Sequence, residues 1–314
     1  MINRIALDDI SHEEWLERRK KHVTASIVAA LPAFRCHPYK TPLKLYMEKR
    51  GLEIPERDNK VMRRGRIFEP AVPKAILEEH PDLCLEEVAA YFYDDAERIG
   101  ATPDYFVFGD PRGRGVLQCK TLTRDAYETD WLDGTEAPRW IVLQARFEAM
   151  MTEAAFGLIA GLTVESYDPK LALIDIPRDP AAEQEITNAI RAFWHDVDVG
   201  NEPSPIYGTD SDEIRRLMTK EQPGTVLDAS GFNDLPEILA QRAVLKARMN
   251  RDKDRCQEID DEIRFRMGTA EKIVGLPGWN VTNRTRTTAG YVVEERTARV
   301  LDIRDKRPKE ERPQ

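Results

Sequence analysis

Apolar positions recur along this chain in two periods, and where each period holds decides the elements predicted. SHEEWLERRKK starts with Ser11 followed three residues later by Glu14, a capping-box spacing that predicts a helix. Gly65 to His80 reads as helix overall, with Pro70 and Pro73 disturbing its first turns. YFYDD reads as a strand, and the stretch ATPDYFVFGDPRGRGVLQCKTL reads as strand, Gly/Pro turn, strand. APRWIVLQARFEAMMTEAAFG carries long apolar periodicity and good helix formers, and Pro138 marks its start. TVESY and KLALIDIPRD predict another strand pair. DPAAEQEITNAIRAFWHDVDVG then predicts an amphipathic helix ending at Gly200.

The turn-rich stretch NEPSPIYGTDSDEI marks a boundary, so residues 1–205 are expected to form one domain and 206–314 an extension. In the extension, Ile238, Leu245, Met249, Cys256, Ile259 and Ile263 lie three, four or seven residues apart, with Arg242 and Asp252 interrupting the stripe. This predicts a long helix or helical hairpin, with Gly268 as its C-cap. A strand-like segment from Trp279 and the polar tail RDKRPKEERPQ, expected to be disordered, complete it.

Composition adds four constraints. Hydrophobic residues make up 41% and charged residues 33%, the balance of an ordinary globular protein. No apolar run is long enough to span a bilayer and the first residues lack a signal-peptide core, so a cytoplasmic protein, bacterial or in a phage-infected host, without membrane contact is expected. The four cysteines, Cys36, Cys84, Cys119 and Cys256, show no CxxC spacing, which speaks against a disulfide framework, zinc or an iron–sulfur site. The formal net charge of −9 argues against nucleic acid, but residues 18–66 hold 14 Lys/Arg against 4 Asp/Glu. That segment is +10 and the remainder −19, which suits one anion-binding surface on an acidic body.

The candidate chemistry lies in Thr102-Pro103-Asp104 followed by Gln118-Cys119-Lys120. Period-2 alternation points residues 118 and 120 to one face of a strand, and Asp104, across the turn, can meet that face. An acid at one strand end and an acid-x-Lys on the next is an arrangement for metal-dependent phosphodiester hydrolysis. Oxygen ligands suit a hard cation, and a lysine beside it orients or helps deprotonate the nucleophile. Position 118 departs from the pattern, since an amide oxygen brings no charge and weakens magnesium binding. Glu148, one helical turn beyond Gln144, is the best candidate for the missing acid. Taken alone, these short patterns also fit an ordinary turn and an exposed strand edge.

The motif order is Arg19, Val23-Thr24-Ala25-Ser26, Gly65-Arg66-Ile67-Phe68-Glu69-Pro70, Thr102-Pro103-Asp104, Gln118-Cys119-Lys120, then Trp140 and Gln144, with PLKLYMEKRG as a connector. Over residues 11–175 this resembles the YqaJ/lambda-exonuclease family of PD-(D/E)XK nucleases. The resemblance implies an α/β, restriction-endonuclease-like core, a mixed central sheet flanked by helices, here with a helical C-terminal extension. It implies Glu69, Asp104 and Gln118 as side-chain metal ligands and the Cys119 carbonyl as a backbone ligand. It implies Lys120 as the catalytic lysine, Gln144 as a group placing water or the scissile phosphate, and Arg19, Thr24 and Ser26 as a pocket for a DNA 5′-phosphate. Plainer roles stand beside these: Glu69 as a solvated helix acid, Gln144 as a polar group on a buried helix, and Thr24 or Ser26 as the N-cap of a helix starting at Ile27.

The implied activity is Mg²⁺- or Mn²⁺-dependent exonuclease digestion, 5′ to 3′, of double-stranded DNA ends, by a ring-shaped homo-oligomer working with a single-strand annealing protein. Gln118 keeps a second reading open, a DNA-end-binding protein on a weakened or inactive nuclease core. A third is a RecB-like or structure-selective endonuclease, since fold does not determine substrate.

Overall fold

The computed structural model describes residues 1–52, 60–164, 167–218 and 224–287, together with Ile303, Arg307 and Pro308. It divides into two compact units, 1–215 and 216–314.

The first unit opens with β1 (Asn3–Ala6) and α1 (His12–Lys20). Ser11 Oγ accepts the Glu14 amide at 3.1 Å, the cap its spacing predicts. Next come β2 (Val23–Thr24) and a buried 3₁₀ segment, Ala25–Ala30. The helix expected from Ile27 is therefore a 3₁₀ turn, and neither hydroxyl caps it: Thr24, at its N-cap, makes no side-chain cap bond, and Thr24 Oγ1 lies 3.2 Å from Ser26 Oγ instead. α2 (Pro42–Lys49) is capped by Thr41, whose Oγ1 accepts from Lys44 N at 3.1 Å, with Pro42 in the first turn. The helix expected over 65–80 is two, α3 (Lys60–Phe68) and α4 (Ala71–Glu79), parted at Glu69-Pro70 where proline has no amide to continue the ladder.

Strands β3 (Cys84–Glu87), β4 (Ala90–Asp94), β5 (Ile99–Ala101), β6 (Tyr105–Phe108) and β7 (Gly115–Leu122) follow. Then come α5 (Arg124–Thr129), α6 (Arg139–Met151), β8 (Phe156–Thr163), β9 (Leu171–Pro177), α7 (Pro180–Val199) and α8 (Ser211–Leu217). Five strands form one mixed sheet in the order β3-β6-β7-β8-β9, with β7 and β8 parallel and the other pairs antiparallel. A second sheet has the order β1-β4-β5-β2.

β8 departs from the sequence reading, which ran the preceding helix through Phe156-Gly157 and began a strand at Thr163. The helix stops at Thr152, Glu153 takes a left-handed φ of 53°, and eight residues of strand follow, all buried. A strand covered on both faces has no polar alternation to reveal it. Residues 165 and 166 of the expected strand lie outside the described residues.

Alternation on β7 sets the site. Leu117 and Cys119 face Val72 and Ile76 of α4, together with Leu158 and Ala160 of β8. Val116 packs with Ala149 of α6, so Gln118 and Lys120 share the α6 side of the sheet. On that side Ile141 and Ala145 of α6 pack with Trp131, Ile159 and Leu122.

In the second unit, α9 (Leu235–Met267) runs as one helix to Gly268, and Ile238, Leu245, Met249 and Ile259 of its apolar stripe are exposed. β10 (Lys272–Ile273) and β11 (Val281–Thr282) pair antiparallel. Most of the strand-like end and of the polar tail lies outside the described residues. No helix among the described residues is long and apolar enough to cross a membrane.

Candidate nuclease site

Asp104 stands just before β6, where its carbonyl accepts the Val88 amide at 3.0 Å. Its Oδ2 accepts from the Cys119 amide at 2.7 Å and from Gln118 Nε2 at 2.5 Å. Gln118 Oε1 accepts from Gln144 Nε2, which also donates to Glu148 Oε1 at 2.9 Å. Lys120 Nζ donates to Gln144 Oε1 at 3.3 Å. Six of the sequence-derived residues, Asp104, Gln118, Cys119, Lys120, Gln144 and Glu148, thus form one hydrogen-bonded cluster. Gln144 and Glu148 meet it because they lie one turn apart on the buried face of α6.

The electrostatics follow from burial. The Asp104 carboxyl is pushed up to about 6, by burial first, against the pull of Lys120. Glu148, 1% exposed, is pushed well above the ordinary carboxylate range by burial and then by Asp104. Glu148 Oε2 is buried with no hydrogen-bond partner, an acceptor left open inside the cluster. Glu69, at the break between α3 and α4, is half-buried and close enough to act electrostatically on Asp104 and Cys119. Among the described residues no group of three or more His, Cys, Asp or Glu gathers as a metal cluster. The cluster's donors are all oxygens: Asp104, the open oxygen of Glu148, Gln118 Oε1 and the Cys119 carbonyl. That set, with one unsatisfied carboxylate oxygen, fits a hard divalent cation.

A second cluster forms where α1 meets β2. Arg19 Nη2 donates to Ser26 Oγ at 2.9 Å, Ser26 lies 3.2 Å from Thr24 Oγ1, and the guanidinium stacks 4.5 Å over Trp15. Lys49 Nζ, its side chain fully buried, donates to the Arg19 carbonyl at 3.0 Å and pairs with Glu48 at 2.7 Å. Burial brings the Lys49 ammonium down to about 8.

His37, which sequence reasoning passed over, joins the clusters. Its Nδ1 accepts from the Tyr39 and Lys40 amides at 3.2 and 2.9 Å, leaving the other ring nitrogen to bond the Ser26 backbone. Its ring lies 5.8 Å from Trp140, and Lys120 Nζ lies 5.5 Å from the same indole. A lone histidine in an irregular loop carries no spacing signal, so nothing in the sequence marks it. A separate cavity of about 500 Å³, lined by Lys21, His22, Lys49, Asp95, Arg98 and Trp194 among others, shares no residue with the Asp104 cluster.

Residues 14–155 match the family model of the YqaJ-like viral recombinase domain. The match spans 142 of the 314 residues. Every residue of both clusters lies inside the YqaJ-like segment. Among solved structures, the chain is similar to an alkaline exonuclease from Laribacter hongkongensis, with 21% identity, 60% of this chain and 93% of that chain covered, and a TM-score of 0.47. The complex of that exonuclease with dAMP gives 21% identity, the same coverages and a TM-score of 0.45. A phage related exonuclease from Haemophilus somnus 129PT gives 12% identity, 57% and 94% coverage, and a TM-score of 0.42. No curated protein matches the sequence.

Proposed function

We propose that this protein is a metal-dependent deoxyribonuclease that digests double-stranded DNA from 5′ ends, within phage-type recombination. The observation that carries the reading is the continuous cluster Asp104–Gln118–Gln144–Glu148 with Lys120 donating into it, inside a YqaJ-like segment.

Asp104, Glu148, Gln118 Oε1 and the Cys119 carbonyl would hold Mg²⁺ or Mn²⁺, with Glu69 close by. Such an ion supplies Lewis-acid polarisation of the phosphoryl group and a lowered water pKa. The chain's own residues do the rest. Gln144, anchored by Gln118 and Glu148, presents its Oε1 toward Lys120 and so orients the lysine beside the acids. Lys120 offsets charge that develops on the phosphoryl oxygens. Arg19, Ser26 and Thr24 offer a fork of N–H donors and two hydroxyls to a terminal phosphate. Water attacks the phosphorus beyond the terminal nucleotide and the P–O3′ bond breaks. A 5′-mononucleotide leaves with its 3′-hydroxyl, and the new end again carries a 5′-phosphate for the Arg19 pocket. A homo-oligomeric ring around the duplex and a single-strand annealing partner belong to the same reading, and sedimentation with and without duplex tests the ring.

Gln118 favours one second reading. Its amide nitrogen donates to Asp104 and brings no charge of its own, as suits a core that binds ends without cutting. Linear duplex labelled at one 5′ end, as phosphate or hydroxyl, in Mg²⁺, Mn²⁺ or EDTA, decides between them. Metal-dependent loss, faster with 5′-phosphate and abolished by Lys120→Ala, supports the exonuclease. Intact DNA in both metals with end binding retained overturns it in favour of the binding protein. Faster cutting of circular than linear DNA overturns it in favour of an endonuclease.

A further inference from the structure

His22 is a buried titratable group that the proposed reaction does not use, at 1% exposed, between α1 and β2. Its Nε2 lies 2.9 Å from Asp95 Oδ1 and its Nδ1 2.8 Å from Tyr91 Oη. A carboxylate only accepts, so the imidazole proton sits on Nε2. Nδ1 is then the acceptor, and the Tyr91 hydroxyl must donate to it. The tyrosine oxygen is left with its lone pairs free, and the Arg19 guanidinium lies within its electrostatic reach.

The surroundings hold this chain of groups in place. Tyr91 on β4 is fully buried, and a Cβ on Gly100 of β5 would stand 2.0 Å from its hydroxyl oxygen, so only glycine leaves room for it. The Tyr91 ring stacks on Tyr93 at 5.8 Å, and His22 stacks on Tyr93 at 5.8 Å. The His22 amide donates to the Arg19 carbonyl at 3.2 Å, the same oxygen that Lys49 holds. Among the described residues no carboxylate reaches Arg19 at salt-bridge distance. Its contacts are the Ser26 hydroxyl and the Trp15 indole, while Tyr91 and Glu48 act on it only electrostatically. Neutral partners orient a guanidinium without cancelling its charge, which remains available to an incoming anion.

We propose that Asp95, His22 and Tyr91 form a relay that positions Arg19 and thereby sets the preference for DNA ends bearing a 5′-phosphate. The proposal rests on the end-binding reading above. In it Tyr91 and His22 are positioning residues that do not touch DNA. Asp95, whose side chain is 71% exposed, sets the histidine tautomer from the surface.

The test is fluorescence anisotropy in EDTA with one duplex carrying either a 5′-phosphate or a 5′-hydroxyl, so that no cutting is needed. Tyr91→Phe removes the hydroxyl that bonds His22 and acts electrostatically on Arg19. Asp95→Ala alters only an exposed side chain, so it decides the matter if Tyr91→Phe does not fold. Without Asp95 the imidazole proton is free to move to Nδ1, where it would occupy the tyrosine lone pair. The expected result is that Tyr91→Phe lowers the preference for the phosphorylated end about tenfold, with Asp95→Ala moving it the same way by less. In both variants the affinity for the hydroxyl end stays within about twofold of wild type, which a general loss of structure would not allow. Wild-type preference in both variants, with preference lost in Arg19→Ala, overturns the relay and leaves the end-binding reading standing. Preference kept in Arg19→Ala, or absent in the wild type, overturns the end-binding reading and the relay with it.

Discussion

The Gln118 side chain donates through Nε2 to Asp104 Oδ2 at 2.5 Å, a bond that a glutamate at this position would not make. The amide ties Asp104 to Gln144 and leaves the cluster with one fewer negative charge. Gln118→Glu should therefore replace an attraction by a repulsion in the metal-free protein, costing about 1–3 kcal/mol. With Mn²⁺ the added charge should help, so the metal-induced rise in Tm should exceed that of the wild type. Thermal unfolding with EDTA and with a Mn²⁺ series measures both effects. An unchanged metal response would show that position 118 does not face the ion.

Glu148 carries the complementary prediction. Its carboxyl is buried, pushed up and half unsatisfied, so the uncharged isostere should be tolerated. Glu148→Gln is expected to leave the metal-free Tm equal or higher, because a buried acid is removed without changing volume. The same variant should lose most of the metal-induced stabilisation, which scales with affinity. A full metal response in Glu148→Gln would remove Glu148 from the ligand set.

These two residues also show what the sequence made legible. Position 118 was marked by its place in a strand beside Lys120, and Glu148 by helical spacing from Gln144, because period-2 and 3.6-residue geometry are local. The hydrogen-bonded order from Asp104 through Gln118 and Gln144 to Glu148 depends on α6 crossing β7, a tertiary relationship without a local signature. His37 and the His22–Tyr91 pair were silent for the same reason: their partners stand 11 and 69 residues away in the chain, at Ser26 for the one and Tyr91 for the other. β8 was missed because its burial on both faces removes the alternation by which strands are recognised.

β8 is also where the sheet is most sensitive to volume. Gly161 lies opposite Lys120 in the parallel pairing, and a Cβ there would come within 2.7 Å of both Leu122 Cδ1 and the Trp131 ring. Trp131 is 2% exposed and has nowhere to move. Gly161→Val should destabilise the first unit by about 2–3 kcal/mol or more. Displacing Trp131 should also shift its fluorescence. Chemical denaturation followed by tryptophan emission reads both, and a stability within about 0.5 kcal/mol of wild type would contradict the close approach.

Acid sensitivity should run through His37. Burial lowers its imidazole to about 4, from an ordinary 6.5, and Nδ1 already accepts two backbone amides that a proton there would displace. A folded-state value below the unfolded one means that the unfolded chain binds the extra proton between about pH 6.5 and 4. Stability contributed by neutral His37 is thus full above that window and is lost as pH falls through it. Asp104, raised to about 6, works the other way, because the folded state takes up its proton first and gains stability as pH falls. The histidine's share is isolated by comparison with His37→Asn, whose amide oxygen can accept the same backbone donors and does not titrate. Urea unfolding at intervals from pH 7 to pH 4 should show the wild type losing stability faster than the variant below about pH 6.5, with the gap closing toward neutrality. Parallel profiles across the window would mean that His37 is protonated as readily in the folded chain as in the unfolded one.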